Sequence, residues 1–186
     1  MTEALIASQA RARFVVTLPQ GPSRLGAELL KLSGASFTTL TNTSDAFLHL
    51  ARRAQKRLVI MTPFIDTAGA AWAADIFEAT SATGKILVIR DSAELEACGQ
   101  EGLRLRNAAQ SIFDYTFQHE RSEGRPEIET FHAKIVLADG IAAYVGSANF
   151  LYRSREANLE CGFLLEGDAV SAVAVLIEAV LNIFAT

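Results

Sequence analysis

Phe131-His132-Ala133-Lys134-Ile135-Val136-Leu137-Ala138-Asp139-Gly140-Ile141-Ala142-Ala143-Tyr144-Val145-Gly146-Ser147-Ala148-Asn149 is a pair of apolar runs joined by Asp-Gly. Asp-Gly between such runs signals a two-residue hairpin turn, because both residues tolerate the left-handed backbone that the turn needs. On that turn Ala138 pairs with Ile141, and His132 lies directly opposite Ser147. Side chains alternate along a strand with a period of two, so Lys134 shares the face of His132 and Asn149 shares that of Ser147. The hairpin would thus collect an imidazole, an ammonium, a hydroxyl and a carboxamide on one face.

Upstream, apolar strand runs alternate with helical patterns. Phe14-Val15-Val16-Thr17-Leu18 is an apolar run stopped by Pro19, and Ser23 predicts the N-cap of a helix through Leu32, closed by Gly34. Ser44 is expected to cap a second helix, with Phe47, Leu48, Ala51 and Ala54 inward and Arg52, Arg53, Lys56 and Arg57 at its end. Leu58-Val59-Ile60-Met61 and Lys85-Ile86-Leu87-Val88-Ile89 read as buried strands around a helix over 69–81. A helix over 92–109, a strand over 112–117 and a polar loop over 118–126 complete the pattern. Strands separated by helices of this length predict an α/β fold, a mixed and mostly parallel sheet with helices on both faces. Residues 1–40 read as an N-terminal extension packed on a domain formed by 41–186.

With 186 residues, half of them apolar, the chain has enough material for one compact core. Its formal net charge of −4 gives little global attraction to a polyanion, so any such contact needs a local basic patch. Cys98 and Cys161 are too few for a disulfide framework and read as buried thiols of a cytoplasmic protein. The opening Met1-Thr2-Glu3-Ala4-Leu5-Ile6 carries no basic n-region of an export signal. The apolar stretch 169–186 contains Glu178 and reads as a core or interface helix rather than a membrane anchor.

The hairpin's polar set suits a phosphate ester. Lys134 offsets charge on the non-bridging oxygens, and Ser147 and Asn149 donate hydrogen bonds to them. His132 is the member able to act as nucleophile or proton donor near neutral pH, and Glu160 could hold its ring in the right tautomer. Backbone N–H groups after Gly146 could also meet an anion as 150–152 turns helical.

The spacing H-x-K-x4-D-x6-G-S-x-N, with a glutamate eleven residues further on, resembles the phospholipase D superfamily signature. His132, Lys134, Asp139, Gly146, Ser147, Asn149 and Glu160 fall on its positions, and the alternation from about residue 43 onward is similar to the family's domain. The resemblance implies two facing motifs: one histidine attacks phosphorus and the other protonates the leaving oxygen, without a metal or other cofactor. This chain has one H-x-K, since Leu50-Ala51 follows His49 and Glu120-Arg121 follows His119. A symmetric homodimer with His132 of each subunit at a shared site is therefore implied. Short single-motif members of the family are typically bacterial nucleases, so nucleic acid is the expected substrate; two-motif members include phospholipases and cardiolipin synthases. The same stretches also resemble the phospholipase-D-like component of the DISARM antiphage systems, which implies defence-system protein partners.

Several of these residues also have simpler readings. Asp139 before Gly140 is ordinary turn chemistry, which favours a structural role within the motif. The three histidines at 49, 119 and 132 have no metal-ligand spacing. His49 reads as a partly exposed helix residue, His119 as part of the solvated loop, and Trp72 as core. Arg153 and Arg155, close behind the motif, are candidates for flanking phosphates; the Arg52–Arg57 run is a weaker one. A lipid phosphodiesterase or phosphatidyl transferase, and a subunit that binds a phosphate backbone or partner without cutting, are the alternatives.

Overall fold

The computed structural model describes residues 10–21, 23–33, 42–119 and 127–185. Its strands are β1 (Arg11–Thr17), β2 (Arg57–Met61), β3 (Gly84–Ile89), β4 (Ser111–Asp114), β5 (Phe117–His119), β6 (Glu127–Glu129), β7 (Ile135–Ala138), β8 (Ala142–Gly146) and β9 (Glu160–Glu166). Seven of them form one mixed sheet in the order β1-β9-β8-β7-β2-β3-β4, and β5 and β6 form a separate ribbon. The β2–β3 and β3–β4 pairs are parallel, and the remaining pairs of the large sheet are antiparallel. The first strand, from the N-terminal extension, is an edge strand of this same sheet.

Helices cover both faces, and the period of two divides the core between them. The helices are α1 (Arg24–Ser33), α2 (Thr43–Arg53), α3 (Thr67–Glu78), α4 (Glu94–Ala97), α5 (Gly99–Ala108), α6 (Tyr152–Glu156) and α7 (Ser171–Ile183). Leu58, Ile60, Leu87, Ile89, Val136 and Tyr144 pack with α2, α3 and α5, while Val59, Met61, Val88, Ile135 and Leu137 pack with Ile177 and Val180 of α7. Phe47 anchors the first layer: it stacks on Trp72 and Phe150, with centroids 5.0 and 5.2 Å away, and meets Tyr144 edge-on at 4.9 Å. Each such pair adds about 0.5–1.5 kcal/mol beyond its buried area. Trp72 is core, as its surroundings in the sequence predict.

Local chemistry sets the helix limits and corrects some of the expected ones. Ser23 caps α1 through Gly26 N, while Gly34 lies outside the described residues. Asn42, not Ser44, caps α2: its Oδ1 accepts from Asp45 N at 2.8 Å, and Ser44 already lies inside the first turn. Asp66 caps α3 through Gly69 N. The helix expected over 92–109 is two helices, α4 and α5, divided at Cys98. His119 belongs to the β5–β6 ribbon rather than a loop, with Nε2 2.9 Å from Glu129 Oε2; residues 120–126 of the expected loop lie outside the described set. Cys98 is buried, Cys161 is half-buried and both are free.

The central hairpin is one residue longer in its turn than the two-residue reading allows. Asp139 and Gly140 do adopt φ values of +52° and +71°, and Ile141 N donates to Ala138 O at 3.0 Å. Ala138 nevertheless pairs with Ala142, so Ile141 is an extra residue in the connection. That slip sets Lys134, whose carbonyl accepts from Gly146 N, opposite Gly146, and it removes the expected His132–Ser147 pairing.

Candidate active site

One end of the large sheet gathers the motif, because alternate strands run in opposite directions. Met61 at the end of β2 pairs with Ile135 at the start of β7, Ile135 pairs with Val145 near the end of β8, and Gly146 pairs with Gly162 near the start of β9. Val88 of β3 also pairs with Met61. The carboxyl ends of β2, β3 and β8 and the amino ends of β7 and β9 therefore share one rim. The carboxyl rim of parallel strands is where open α/β sheets bind ligands.

His132 is exposed on this rim, just before β7, with its ring edge-on to Phe64 at 5.8 Å. Lys134 is only 6% exposed; its Nζ donates to His132 O at 2.7 Å and lies 2.7 and 3.1 Å from the two ring nitrogens. Burial holds the Lys134 ammonium below the usual lysine range, and the carboxylate of Glu160 works against that shift. Glu160, 5% exposed, accepts from Ser147 Oγ through Oε2 and lies 3.4 Å from Asn158 Nδ2 through Oε1. Ser147 Oγ in turn accepts from Cys161 N at 3.1 Å, and Ser147 N donates to Cys161 O at 2.9 Å. Two contacting pairs, His132–Lys134 and Ser147–Glu160, are thus joined by the Lys134–Glu160 attraction.

Ser147 reaches this group by a different route from the one the sequence predicts. The strand ends at Gly146, and Ser147 is tied across to β9 instead of facing β7. Glu160 accordingly holds Ser147 and not the imidazole within one chain. The following loop is stitched to the β2–α3 connection: Phe150 N donates to Thr62 Oγ1, Asp66 N to Phe150 O, and Tyr152 N to Asp66. These bonds hold Asn149, whose buried Oδ1 has no partner among the described residues. The N–H groups of Ser147, Phe150 and Tyr152 are thereby taken up within the protein and are not the ones left to meet an anion.

Gly146 is required by packing. A Cβ there would lie 2.2 Å from Tyr144 Oη and 2.6 Å from Cys161 O, and one on Gly162 would lie 2.5 Å from the Tyr144 ring. The two glycines let the fully buried Tyr144 lie beneath the rim, and burial pushes its phenol up to about 12.

Other expected residues lie elsewhere. Asp139 is at the opposite end of the hairpin, where its carboxylate accepts from the backbone N–H groups of Gln55, Lys56 and Arg57 at 2.8, 3.0 and 2.7 Å. Burial opposes its charge, but those three donors outweigh burial and hold it below the usual carboxylate range. The Arg52–Arg57 run ends at that far rim, with Arg53 on Glu166 and Arg57 on Glu178. His49, exposed on α2, also faces Glu166. Arg155 pairs with Glu156 and lies over Trp72, turned toward α3. Arg153 is exposed and makes no ion pair among the described residues.

Two rim residues were not foreseen. Phe64 touches His132, and the guanidinium of Arg90, just past β3, lies over the Phe64 ring at 5.3 Å from its centroid. The local signals were modest: Pro63 stops one strand, and Arg90 is the first charge after an apolar run.

Among the described residues, no helix is long and apolar enough to cross a membrane. The family described as "Cardiolipin synthase, PLD-like domain" matches residues 47–181. No curated protein matches the chain. Similar solved structures include NucT from Helicobacter pylori, with 12% identity over 92% of this chain and 92% of that one and a TM-score of 0.52. Phosphatidylserine synthase from Haemophilus influenzae Rd KW20 matches with 15% identity over 94% of this chain but 38% of its own, at a TM-score of 0.50. A phospholipase D family member, Nuc from Salmonella typhimurium, has 13% identity over 92% of this chain and 91% of its own, at 0.49. At such identities the likeness is one of fold. The domain match, which spans the rim motif and β2, β3, β4, β7, β8 and β9 of the sheet that carries it, decides the assignment: the chain belongs to the phospholipase D-like family.

Proposed function

We propose that this protein is a phosphodiesterase that hydrolyses nucleic-acid backbone at a site shared by two copies of the chain. The observation that carries the reading is an exposed imidazole seated on a buried ammonium, with a hydroxyl, a carboxamide and a carboxylate on the same rim. In the proposed reaction a ring nitrogen of His132 attacks phosphorus, forming a P–N bond as the P–O bond to the leaving group breaks. The leaving oxygen takes its proton from His132 of the partner subunit. Water then attacks the phosphohistidine, releases the phosphate monoester and returns the ring. Lys134, Ser147 and Asn149 hold the non-bridging oxygens, and Glu160 keeps Ser147 and Lys134 in place. Arg153, exposed just behind the motif, suits a flanking phosphate. The single H-x-K per chain supports the dimer, and the resemblance of short single-motif chains to bacterial nucleases supports the substrate. A cytoplasmic setting and partner proteins of an antiphage system fit the same reading.

The test is cleavage of labelled single- and double-stranded DNA and RNA in excess EDTA, wild type beside His132→Ala. Cutting by the wild type alone supports the reading. Cutting by both chains at equal rates overturns the role of His132. Activity on phospholipid vesicles with none on polynucleotides overturns the substrate.

A further inference from the structure

Among the described residues, Arg90 is a rim cation that no acidic side chain holds. It is half-buried at the carboxyl end of β3, and its guanidinium lies 5.3 Å from the centroid of Phe64, whose ring is itself 5.8 Å from that of His132. Among the described residues it makes no ion pair. The nearby carboxylates are engaged otherwise: Asp91 accepts from Ala93 N, Asp114 from Ser92 N and Oγ, and Asp66 from Gly69 N and Tyr152 N. Glu94 reaches Arg90 only through longer-range attraction. A guanidinium lying on an aromatic ring is supported through its flat face, which leaves the N–H donors along its edge for a planar or tetrahedral oxyanion.

We infer that Arg90 is a substrate-binding residue that grips a phosphate next to the one attacked at His132, with Phe64 carrying its guanidinium beside the site. This rests on the polynucleotide reading and sharpens it, since a second phosphate grip one ring away from the nucleophile favours a chain of phosphodiesters over a lone one. Arg is the suitable residue here because two of its edge donors can meet two oxygens of one phosphate.

Binding of a fluorescent single-stranded oligonucleotide of about ten nucleotides tests it, in the His132→Ala background so that the probe stays intact. Affinity is read between about 50 and 200 mM salt. Adding Arg90→Gln should weaken binding about tenfold at the low end and make the dependence of log affinity on log salt shallower by about one ion. Arg90→Lys, which keeps the charge and guards against a folding defect, should retain the parent slope. An unchanged slope in Arg90→Gln overturns the inference, including the case where turnover alone falls because Phe64 and His132 have shifted. Failure of the Arg90-containing parent to bind, together with no cutting by wild type, overturns the polynucleotide reading itself and the inference with it. Loss confined to binding of phosphatidylglycerol vesicles overturns the choice of ligand.

Discussion

The two ends of the β7–β8 hairpin carry residues of one sequence motif and are built to opposite purposes. At the turn, Asp139 is saturated by three backbone N–H donors that join the end of α2 to the start of β2. At the rim, Lys134 is buried against an exposed imidazole, and among the described residues Asn149 Oδ1 has no protein partner and Arg90 no counter-ion. One end satisfies its polar groups internally; the other leaves donors and acceptors uncommitted among the described residues. Membership in a motif therefore does not imply membership in a site, and the distinction is read from where each hydrogen bond goes.

The contrast predicts a graded set of outcomes. His132→Ala should lower turnover by about a thousandfold or more while leaving the melting temperature close to wild type, because that side chain is exposed; calorimetry beside the cleavage assay checks both. Asp139→Ala should do the reverse, costing about 2–4 kcal/mol by leaving three donors without their acceptor, with the rate per folded molecule preserved. Urea titration alongside active-site-normalised rates would show it, and a large loss of specific activity would erase the contrast. The pH dependence adds a sign. The folded carboxyl of Asp139 lies below its ordinary value near 3.8, so its stabilisation is present above about pH 4 and is lost as the pH falls through the depressed value. Asp139→Asn should flatten that acid limb.

Glu160→Gln should lower turnover about ten- to a hundredfold. It removes the carboxylate that favours a charged Lys134, so the alkaline limb of the pH–rate profile should move to lower pH. An alkaline limb that stays in place would separate Lys134 from phosphate binding. The smallest effect belongs to Tyr144. Its phenol is raised from 10.0 to about 12, so the folded state holds the proton more tightly; stability is intact below pH 10 and falls as the pH rises toward 12. That limb amounts to at most about 3 kcal/mol, and Tyr144→Phe should remove it while changing stability at neutral pH by less than about 1 kcal/mol.

Strand positions were legible because buried strands are short apolar runs: Leu58–Met61 and Lys85–Ile89 fall within or on β2 and β3 almost residue for residue. The α/β class and helices on both faces followed from their spacing. Register was not legible, since the same Asp-Gly turn accommodates Ala138 opposite either Ile141 or Ala142 and only the packed sheet chooses. Asn42 and Ser44 compete as caps two residues apart, and the bond from Thr17 Oγ1 to Thr43 at the helix start favours the earlier one. The motif placed His132, Lys134, Ser147, Asn149 and Glu160 on one rim because their spacing matches strand ends. Phe64 and Arg90 share no local pattern with His132; three separate segments meet only after the parallel and antiparallel halves of the sheet join at β2.

The pairing of β1 with β9 also orders events in time. β1 finds its partner in β9, a strand made much later along the chain, with Thr17 opposite Glu160. Until Glu160–Glu166 has been made, β1 lacks its partner, and until Glu160 has, Ser147 lacks its carboxylate. Contacts between segments so distant along the chain form slowly. Closure of this sheet edge and the seating of Ser147 on its carboxylate therefore both wait for the same strand, β9.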